Sequence, residues 1–333
     1  MINLNNPHLD FALTSVQQAA LLAQEIQEEM VSPAITKEDR SPVTVADFAA
    51  QAVVGYYLER RFPDAELVGE ENSDVLRKPE GRETLEKVTE FVRRVIPGVS
   101  PDQVCDFIDR GKGEAREAYW TLDPVDGTKG FLRGDQYAVA LAQVENGRVQ
   151  IGVLGCPNLP PAQLGELEGK GTLLAAVRGE GSWMTVLENS PADQVYQEIL
   201  VSIQADPAQA RILRSFESGH TNVSQIDEFQ DALGTSSDPV RMDSQAKYAL
   251  LAAGEGEVYL RLLSKDRPDY REKVWDQAAG SLLVEEAGGV VTDLDGVELD
   301  FSRGRKLTGN RGLCATNGLL HNDALQALED IDA

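Results

Sequence analysis

The amino-acid sequence predicts an α/β protein in which an α+β amino-terminal lobe precedes an α/β carboxyl-terminal lobe. In the first part, residues 137–145 and 148–156 are apolar runs joined by Asn146-Gly147, a dipeptide typical of a tight hairpin turn. Beyond about residue 185, short apolar runs alternate with stretches of helical periodicity, the pattern of an α/β fold. We therefore predict lobes at residues 1–185 and 186–333.

Helices dominate the beginning of the chain. Asn6-Pro7 combines a favoured N-cap residue with proline at the first helical position. Apolar residues then recur at spacings of three and four as far as Met30, which predicts one long amphipathic helix. A second helix is predicted from about Val45 to Arg61, and a third over residues 80–95.

The remaining elements follow from local composition and periodicity. A hairpin is predicted around residues 179–181, where two glycines flank a glutamate. The helix that begins at Val274 is expected to end at Gly288-Gly289, because glycine readily adopts the left-handed conformation of a helix end. The other predicted strands cover residues 67–71, 199–203, 257–263 and 290–292, and the other predicted helices cover residues 223–233 and 244–253.

Charge and hydropathy exclude several classes of function. The 333 residues include 31 Lys and Arg against 55 Asp and Glu, which gives a formal net charge of −24. So negative a chain repels nucleic-acid backbones and anionic membranes, and we expect neither as a partner. The sequence contains no run of about 18 apolar residues and no signal peptide, so no membrane span is expected.

The cysteines point to a reducing compartment. The three cysteines, Cys105, Cys156 and Cys314, are widely spaced and form no Cys-x-x-Cys pair. Neither a disulfide framework nor a zinc cluster is expected from such a pattern. A cytoplasmic location is therefore predicted.

Residues 120–130 carry the most informative motif of the chain, Trp-Thr-Leu-Asp-Pro-Val-Asp-Gly-Thr-Lys-Gly. An apolar, strand-like approach leads into Asp123 and Asp126, and Gly127-Thr128 follows directly. Carboxylate and carbonyl oxygens suit a hard divalent cation, and free N–H groups suit a phosphate. The alternative is an ordinary surface turn, since Asp-Pro and Asp-Gly are common turn dipeptides.

Three further acids lie at ends of predicted elements, and each has an ordinary explanation. Asp47 completes a Thr44-x-x-Asp47 pattern that suits a capping box at a helix start. Glu70 follows a short strand and is compatible with a solvated position. Asp276 falls in the first turn of a predicted helix, where a carboxylate favours the helix dipole.

Considered together, these carboxylates favour a metal site. Functional loops gather at the ends of secondary-structure elements. Four or five carboxylates share a small site only when cations neutralise them. Two or three Mg²⁺ ions would do so and would also hold a phosphoryl group and an attacking water. Mg²⁺ is favoured over zinc because no His or Cys accompanies the acids.

At this point the sequence resembles a known family. Residues 120–131 and 275–289 are similar to the two signatures of the magnesium-dependent, lithium-sensitive phosphatases related to inositol monophosphatase. Residues 41–51, 68–73 and 243–248 resemble most closely the 3'(2'),5'-bisphosphate nucleotidase branch of that family. The resemblance covers roughly residues 10–320 and implies the layered αβαβα sandwich of the inositol monophosphatase and fructose-1,6-bisphosphatase type.

The resemblance also implies which residues bind metal. Glu70, Asp123 and the backbone carbonyl of Val125 would bind one Mg²⁺. Asp123, Asp126 and Asp276 would bind a second. Glu70, with a further acid nearby, would help to hold a third and weaker ion. The expected cofactor is thus two to three Mg²⁺ per site.

Catalytic roles follow in the same way. Asp47, which lies near the third ion in this scheme, and Thr128 would activate the attacking water, with the Thr128 hydroxyl relaying the proton to the carboxylate. The N–H groups of Gly127 and Thr128 would hold the phosphate that is removed.

Substrate binding is expected in the carboxyl-terminal half. Ser244, Lys247 and Arg261 would contact a nucleotide and its second phosphate, and His220 matches an adenosine-contacting position only loosely. The implied activity is hydrolysis of the 3'-phosphate of adenosine 3',5'-bisphosphate to AMP, with the 3'-phosphorylated sulfate donor as a further substrate. The alternatives are an inositol phosphate phosphatase with the same metal site and a non-catalytic nucleotide- or metal-binding protein. A monomer is expected.

Overall fold

Helices and two β-sheets alternate in five layers in the computed structural model, which describes residues 2–31, 41–191, 194–216, 223–263, 267 and 269–333. The helices are α1 (Pro7–Met30), α2 (Ser41–Arg61), α3 (Arg82–Val95), α4 (Pro101–Asp109), α5 (Thr128–Arg133), α6 (Val223–Leu233), α7 (Ala246–Ala252), α8 (Val274–Glu286) and α9 (His321–Asp330). The strands are β1 (Leu67–Gly69), β2 (Ala118–Asp126), β3 (Ala138–Glu145), β4 (Arg148–Cys156), β5 (Thr172–Val177), β6 (Gly181–Val186), β7 (Gln197–Ile199), β8 (Ile212–Arg214), β9 (Val240–Arg241), β10 (Val258–Arg261), β11 (Val290–Thr292) and β12 (Leu313–Thr316).

The first sheet contains β1 to β7 in sequential order. Its strands are antiparallel except for β1 and β2, which run parallel. Asn146 and Gly147, with φ of 51° and 75°, form the predicted turn between β3 and β4. The hairpin predicted around residues 179–181 joins β5 and β6.

The second sheet has the order β11-β12-β10-β8-β9 and mixes parallel and antiparallel pairs. Helices α1 and α2 cover the outer face of the first sheet. Helices α7 and α8 fill the space between the two sheets. Helices α6 and α9 cover the outer face of the second sheet. The predicted α/β class and layered sandwich are therefore confirmed.

Two predicted elements differ from the structure. Residues 199–203 were expected to form a strand, but β7 ends at Ile199. The Val201 N–H instead donates to the carbonyl of Ala287 at the end of α8, which draws the chain out of the sheet. The second helix begins at Ser41 rather than near Val45, because Pro42 suits the first turn of a helix. The division into lobes at residue 185 stays a prediction.

Helices α7 and α8 approach each other closely at Gly280. A Cβ atom at this position would lie 2.1 Å from Cδ2 of the buried Tyr248 ring. The close approach brings the helix that carries Lys247 against the helix that carries Asp276.

Gly280→Ala is expected to destabilise the protein. Alanine gains about 1 kcal/mol over glycine in a helix, but overpacking a rigid core costs about 3 kcal/mol. The expected net loss is about 2 kcal/mol in the free energy of unfolding, measured by urea denaturation. The cost of Gly280→Ala should be smaller when it is measured in a protein that already carries Tyr248→Ala. Additive costs of the two substitutions would contradict the contact between these residues.

In the described ranges, no helix is both long and apolar enough to cross a bilayer. Cys105, Cys156 and Cys314 are all buried free thiols.

Candidate active site

A cavity of about 560 Å³ lies where β1, β2, α5, α7, β10 and α8 meet. Of the predicted site residues, ten line it: Glu70, Asp123, Val125, Asp126, Gly127, Thr128, Ser244, Lys247, Arg261 and Asp276. Within the described part of the chain, Asp47 is the predicted site residue that does not line the cavity. His220 lies outside the described residues.

Strand pairing brings Glu70 to Asp123. Strands β1 and β2 are parallel, with Gly69 opposite Leu122, so the residues that follow this pair emerge at the same edge of the sheet. The Glu70 N–H also donates to the Leu122 carbonyl at 3.2 Å. The Asp123 carboxyl also influences the pKa of Glu70, so the two side chains interact.

Strand β2 does not turn away at Pro124 but continues to Asp126, with a register shift against β3 between Asp123 and Asp126. The shift places both carboxyl groups at the cavity. Asp123 is only 3% exposed, and its Oδ1 has no hydrogen-bond partner among the described residues. Oδ2 of Asp126 accepts from the Gln245 N–H at 2.5 Å. A buried, unpartnered carboxylate oxygen is incompatible with an ordinary surface turn.

Burial and mutual repulsion perturb these acids. Burial raises the pKa of Asp123 well above its usual range, and the neighbouring Glu70 and Asp126 raise it further. Glu70 opens into the cavity, yet loss of surrounding water, Glu71 and Asp126 raise its pKa to about 7. The site therefore holds more negative charge than it can keep ionised without a cation.

Asp47 lies in the second turn of α2, because that helix begins at Ser41. The capping-box interpretation of Thr44 and Asp47 is therefore wrong. Burial raises the pKa of the Asp47 carboxyl well above its usual range, and repulsion by Glu70 and Glu71 adds to the shift. Asp47 is thus electrostatically coupled to the carboxylates of the cavity.

Asp276 does lie in the first turn of α8, as predicted. The helix dipole would favour the charged carboxylate and lower its pKa. Instead, burial raises the pKa of Asp276 well above its usual range, with Asp126 and Glu272 contributing. Stabilisation by the helix dipole alone does not account for this residue.

The donor set fits a hard divalent cation. The cavity-lining candidates offer carboxylate and carbonyl oxygens, and no described His or Cys lines the cavity. The unpartnered Asp123 Oδ1 lacks the positive charge or donor that a buried oxygen requires. In the ranges that the structure describes, no three His, Cys, Asp or Glu side chains are arranged closely enough to coordinate a metal ion. We expect a cation to draw them together.

Mg²⁺ is expected to raise the melting temperature of EDTA-treated protein by about 4 °C at pH 7.5, since a ligand at 100 times its Kd adds about 2.7 kcal/mol. The gain should shrink at pH 6, because the Glu70 pKa near 7 means that protons then compete with the metal. Differential scanning fluorimetry with an equal ionic strength of KCl as control measures this. An equal shift with KCl would contradict a specific site.

Two of the cationic residues that line the cavity, Lys247 and Arg261, come from the second half of the chain. Lys247 is 3% exposed, and its Nζ donates to Ser215 Oγ at 3.2 Å and lies over the Tyr259 ring. Burial lowers the Lys247 pKa to about 8, although Asp126 acts in the opposite direction. Arg261 forms an ion pair with Glu272 at 3.1 Å.

Gly127 lies between the carboxylates and the cationic residues of the site. It has φ of 96° and precedes α5, and a Cβ atom there would lie 2.8 Å from the Cβ of Ser244. Ser244 itself has φ of 61°, an uncommon conformation for a residue other than glycine. Both backbones are thus held in special conformations where the two halves of the chain meet.

Sequence reasoning missed Asp243, which lines the cavity, and Glu272, which lies beside it and contacts Arg261. Glu272, which is 4% exposed, orients Arg261 and also accepts from Gln277 Nε2 at 2.8 Å. Asp243 accepts from both Arg133 and the Phe216 N–H. The only available signal was proximity in sequence, since Glu272 precedes Asp276 and Asp243 precedes Ser244.

Comparison with known proteins places this geometry in a family. The profile described as "Inositol monophosphatase family" matches residues 5–333. The chain belongs to the inositol monophosphatase family. Among curated members, a 3'(2'),5'-bisphosphate nucleotidase of Oryza sativa is 42% identical, over 98% of this chain and 95% of its own length. One of Schizosaccharomyces pombe is also 42% identical, over 91% and 90%. The resemblance to this branch is confirmed.

Solved structures of the inositol monophosphatase family share the fold. An IMPase of Thermotoga maritima matches with a TM-score of 0.62 and 20% identity, and the match covers 98% of each chain. An inositol monophosphatase from Anabaena matches with a TM-score of 0.61 and 22% identity, over 97% of each chain. The αβαβα arrangement is thus the common architecture of this family.

Proposed function

We propose that this member of the inositol monophosphatase family is a Mg²⁺-dependent 3'(2'),5'-bisphosphate nucleotidase that converts adenosine 3',5'-bisphosphate to AMP and phosphate. The observation that carries this proposal is the pair of cations, Lys247 and Arg261, in the same cavity as the carboxylates. A substrate with one phosphate at the metals and a second phosphate nearby uses both parts. The names of the relatives support the same substrate.

In this proposal the metal is held by oxygen donors of both halves. Glu70, Asp123 and the Val125 carbonyl would hold one Mg²⁺, and Asp123, Asp126 and Asp276 would hold another. Glu70, near Asp47, would help to hold a third. Bound Mg²⁺ supplies positive charge that stabilises the phosphoryl oxygens and favours ionisation of water. Asp123 belongs to both sets, which agrees with its burial and its unpartnered oxygen.

The remaining residues move a proton and hold the substrate. The Thr128 hydroxyl would orient the attacking water and pass its proton to Asp47, a carboxylate whose pKa burial and Glu70 raise, which favours its acceptance of a proton. The N–H groups of Gly127 and Thr128 hold the departing phosphate. Ser244, Lys247 and Arg261 bind the nucleoside and its 5'-phosphate.

Some parts of the proposal concern the wider cellular role. The 3'-phosphorylated sulfate donor presents the same 3'-phosphate, and we propose it as a second substrate. We propose a monomer, since ten of the predicted site residues line one cavity. Three free thiols suit a reducing cytoplasm. A nucleic-acid or anionic-membrane partner is disfavoured by the net charge of −24.

Phosphate release from three esters tests the substrate assignment. Adenosine 3',5'-bisphosphate, AMP and inositol 1-phosphate are each incubated with Mg²⁺, with and without Li⁺. The bisphosphate should be hydrolysed fastest, with inhibition by Li⁺. Hydrolysis of inositol 1-phosphate at an equal or higher rate would support the inositol phosphatase alternative, and no hydrolysis of any ester would support a non-catalytic protein.

We expect kcat/KM for the bisphosphate to fall as the pH rises above about 8. Burial depresses the Lys247 pKa to about 8 in the free protein, so its positive charge is lost as the pH rises through that value. The profile of kcat/KM reports such groups of the free enzyme. Lys247→Arg, which keeps its charge, should lack this alkaline decline, whereas an unchanged decline would assign it to another group.

A further inference from the structure

Gln51 is a fully buried polar side chain that the proposed function does not use. It lies on α2, four residues after Asp47, so both side chains emerge from the same face of the helix. It is not among the described residues that line the cavity. Its amide nevertheless reaches the segment that carries Glu70.

The Gln51 amide forms three hydrogen bonds with main-chain atoms. Nε2 donates to the Glu71 carbonyl at 2.6 Å and to the Ile108 carbonyl at 2.8 Å. Oε1 accepts from the Glu71 N–H at 3.0 Å. Both N–H donors and the oxygen of the amide are therefore satisfied.

Two of these bonds go to one residue, Glu71, and engage both its N–H and its carbonyl. The amide thus pairs with Glu71 as a neighbouring strand would, immediately after β1 ends. The preceding residue, Glu70, is held through its own N–H by the carbonyl of Leu122. The backbone on both sides of the Glu70 side chain is therefore fixed, on one side by β2 and on the other by α2.

Glycines make room for this contact. A Cβ atom on Gly69 would lie 2.6 Å from Gln51 Oε1, and one on Gly111 would lie 2.3 Å from Gln51 Nε2. The amide is enclosed between two main-chain segments that approach it closely only because both residues lack a side chain. So tight an enclosure leaves the amide little freedom to move.

We propose that Gln51 is a positioning residue, which fixes Glu70 relative to Asp47 and thereby sets the affinity of the site for Mg²⁺. This inference rests on the proposed metal-binding role of Glu70. Residues that orient metal ligands typically contribute 10- to 100-fold to affinity. Gln51 does not contact the substrate, so its loss should alter the metal requirement and leave the KM for the nucleotide unchanged.

Gln51→Met tests this, because methionine has a similar length and cannot form the three bonds. Mg²⁺ binding to the EDTA-treated protein is measured by titration calorimetry, and the Mg²⁺ concentration for half-maximal phosphate release is measured in parallel. The dissociation constant for Mg²⁺ and the half-maximal Mg²⁺ concentration should each rise about tenfold or more. The KM for adenosine 3',5'-bisphosphate at saturating Mg²⁺ should stay within about twofold of the wild-type value.

Gln17→Met is the matched control. Gln17 is also a buried glutamine on a helix, 4% exposed, and its Nε2 donates to the carbonyls of Leu187 and Asn189, neither of which lines the cavity. Its replacement should lower the melting temperature without changing Mg²⁺ binding. A similar change in Mg²⁺ affinity in both variants would reduce Gln51 to a general contributor to stability and overturn the proposal.

Gly69→Ala provides a second route if Gln51→Met does not fold. The added methyl group would lie 2.6 Å from Gln51 Oε1 and would displace the amide from its present position while retaining it. The same increase in the required Mg²⁺ is expected. If the wild-type protein binds Mg²⁺ and the Gln51 and Gly69 variants bind it equally well, the positioning role alone is refuted. If the wild-type protein binds no Mg²⁺, the proposed function is refuted as well.

Discussion

Asp123→Asn is expected to reduce phosphate release from adenosine 3',5'-bisphosphate by about 10³-fold or more, because Asp123 is proposed to hold two cations at once. Loss of a single group that stabilises charge in the transition state costs about 10²- to 10³-fold in other enzymes, and loss of a group that would hold two cations is expected to reach the upper figure. The same change should leave the melting temperature of the metal-free protein unchanged or raise it. Burial and repulsion already raise the Asp123 pKa and disfavour its charged form, and a neutral amide removes that cost.

Asp293→Asn is a matched control for this prediction. Asp293 is also a buried aspartate, 2% exposed, but its carboxylate accepts from four donors outside the cavity, the N–H groups of Asp295, Val297 and Arg311 and the Asn310 side chain. Its replacement should lower the melting temperature and spare activity in the folded fraction. Substantial turnover by the Asp123→Asn variant would contradict the proposed role of Asp123 as a metal ligand.

Lys247→Met is expected to lower kcat/KM for the bisphosphate by about 10²-fold. Loss of one partner of a buried charged contact costs about 2–5 kcal/mol, and 1.4 kcal/mol corresponds to a factor of ten. The effect should fall mainly on KM, since the proposed contact is with the phosphate that is not removed. Initial rates over a range of substrate concentrations measure it.

Two comparisons separate a specific contact from general attraction. Inositol 1-phosphate lacks the second phosphate, so its slower hydrolysis should change much less in the Lys247 variant. Lys129→Met removes a charge from an exposed residue that lines the same cavity. An equal loss in the Lys129 variant would show that the cavity attracts anions without a dedicated contact at Lys247.

The sequence predicted the carboxylates of the site better than it predicted their surroundings. Asp123, Asp126 and Asp276 were identified because they fall, as a set of acids, at the ends of predicted elements and lie in the two family signatures. The parallel pairing of β1 with β2, which places Glu70 beside Asp123, was not predicted. Pairing between strands separated by about 50 residues depends on tertiary structure and has no local signal.

Other differences arise from competing local signals. Thr44 was interpreted as a helix cap, but the helix already begins at Ser41, where Pro42 occupies its first turn. Residues 199–203 are apolar enough for a strand, yet Ile203 is 92% exposed because the chain leaves the sheet to reach α8. The role of Gln51 was not predicted, because hydrogen bonds between a side chain and distant main-chain atoms leave no pattern in the sequence.

The location of α8 between the two sheets has a consequence for protein synthesis. Asp276 emerges 276 − 126 = 150 residues after Asp126, which corresponds to about 10–30 s at ordinary rates of translation. During that interval the inner face of the first sheet, including Leu154 and Leu174, has no α8 to cover it. The nascent chain is therefore both inactive and exposed to aggregation, and its need for chaperones should end when α8 docks.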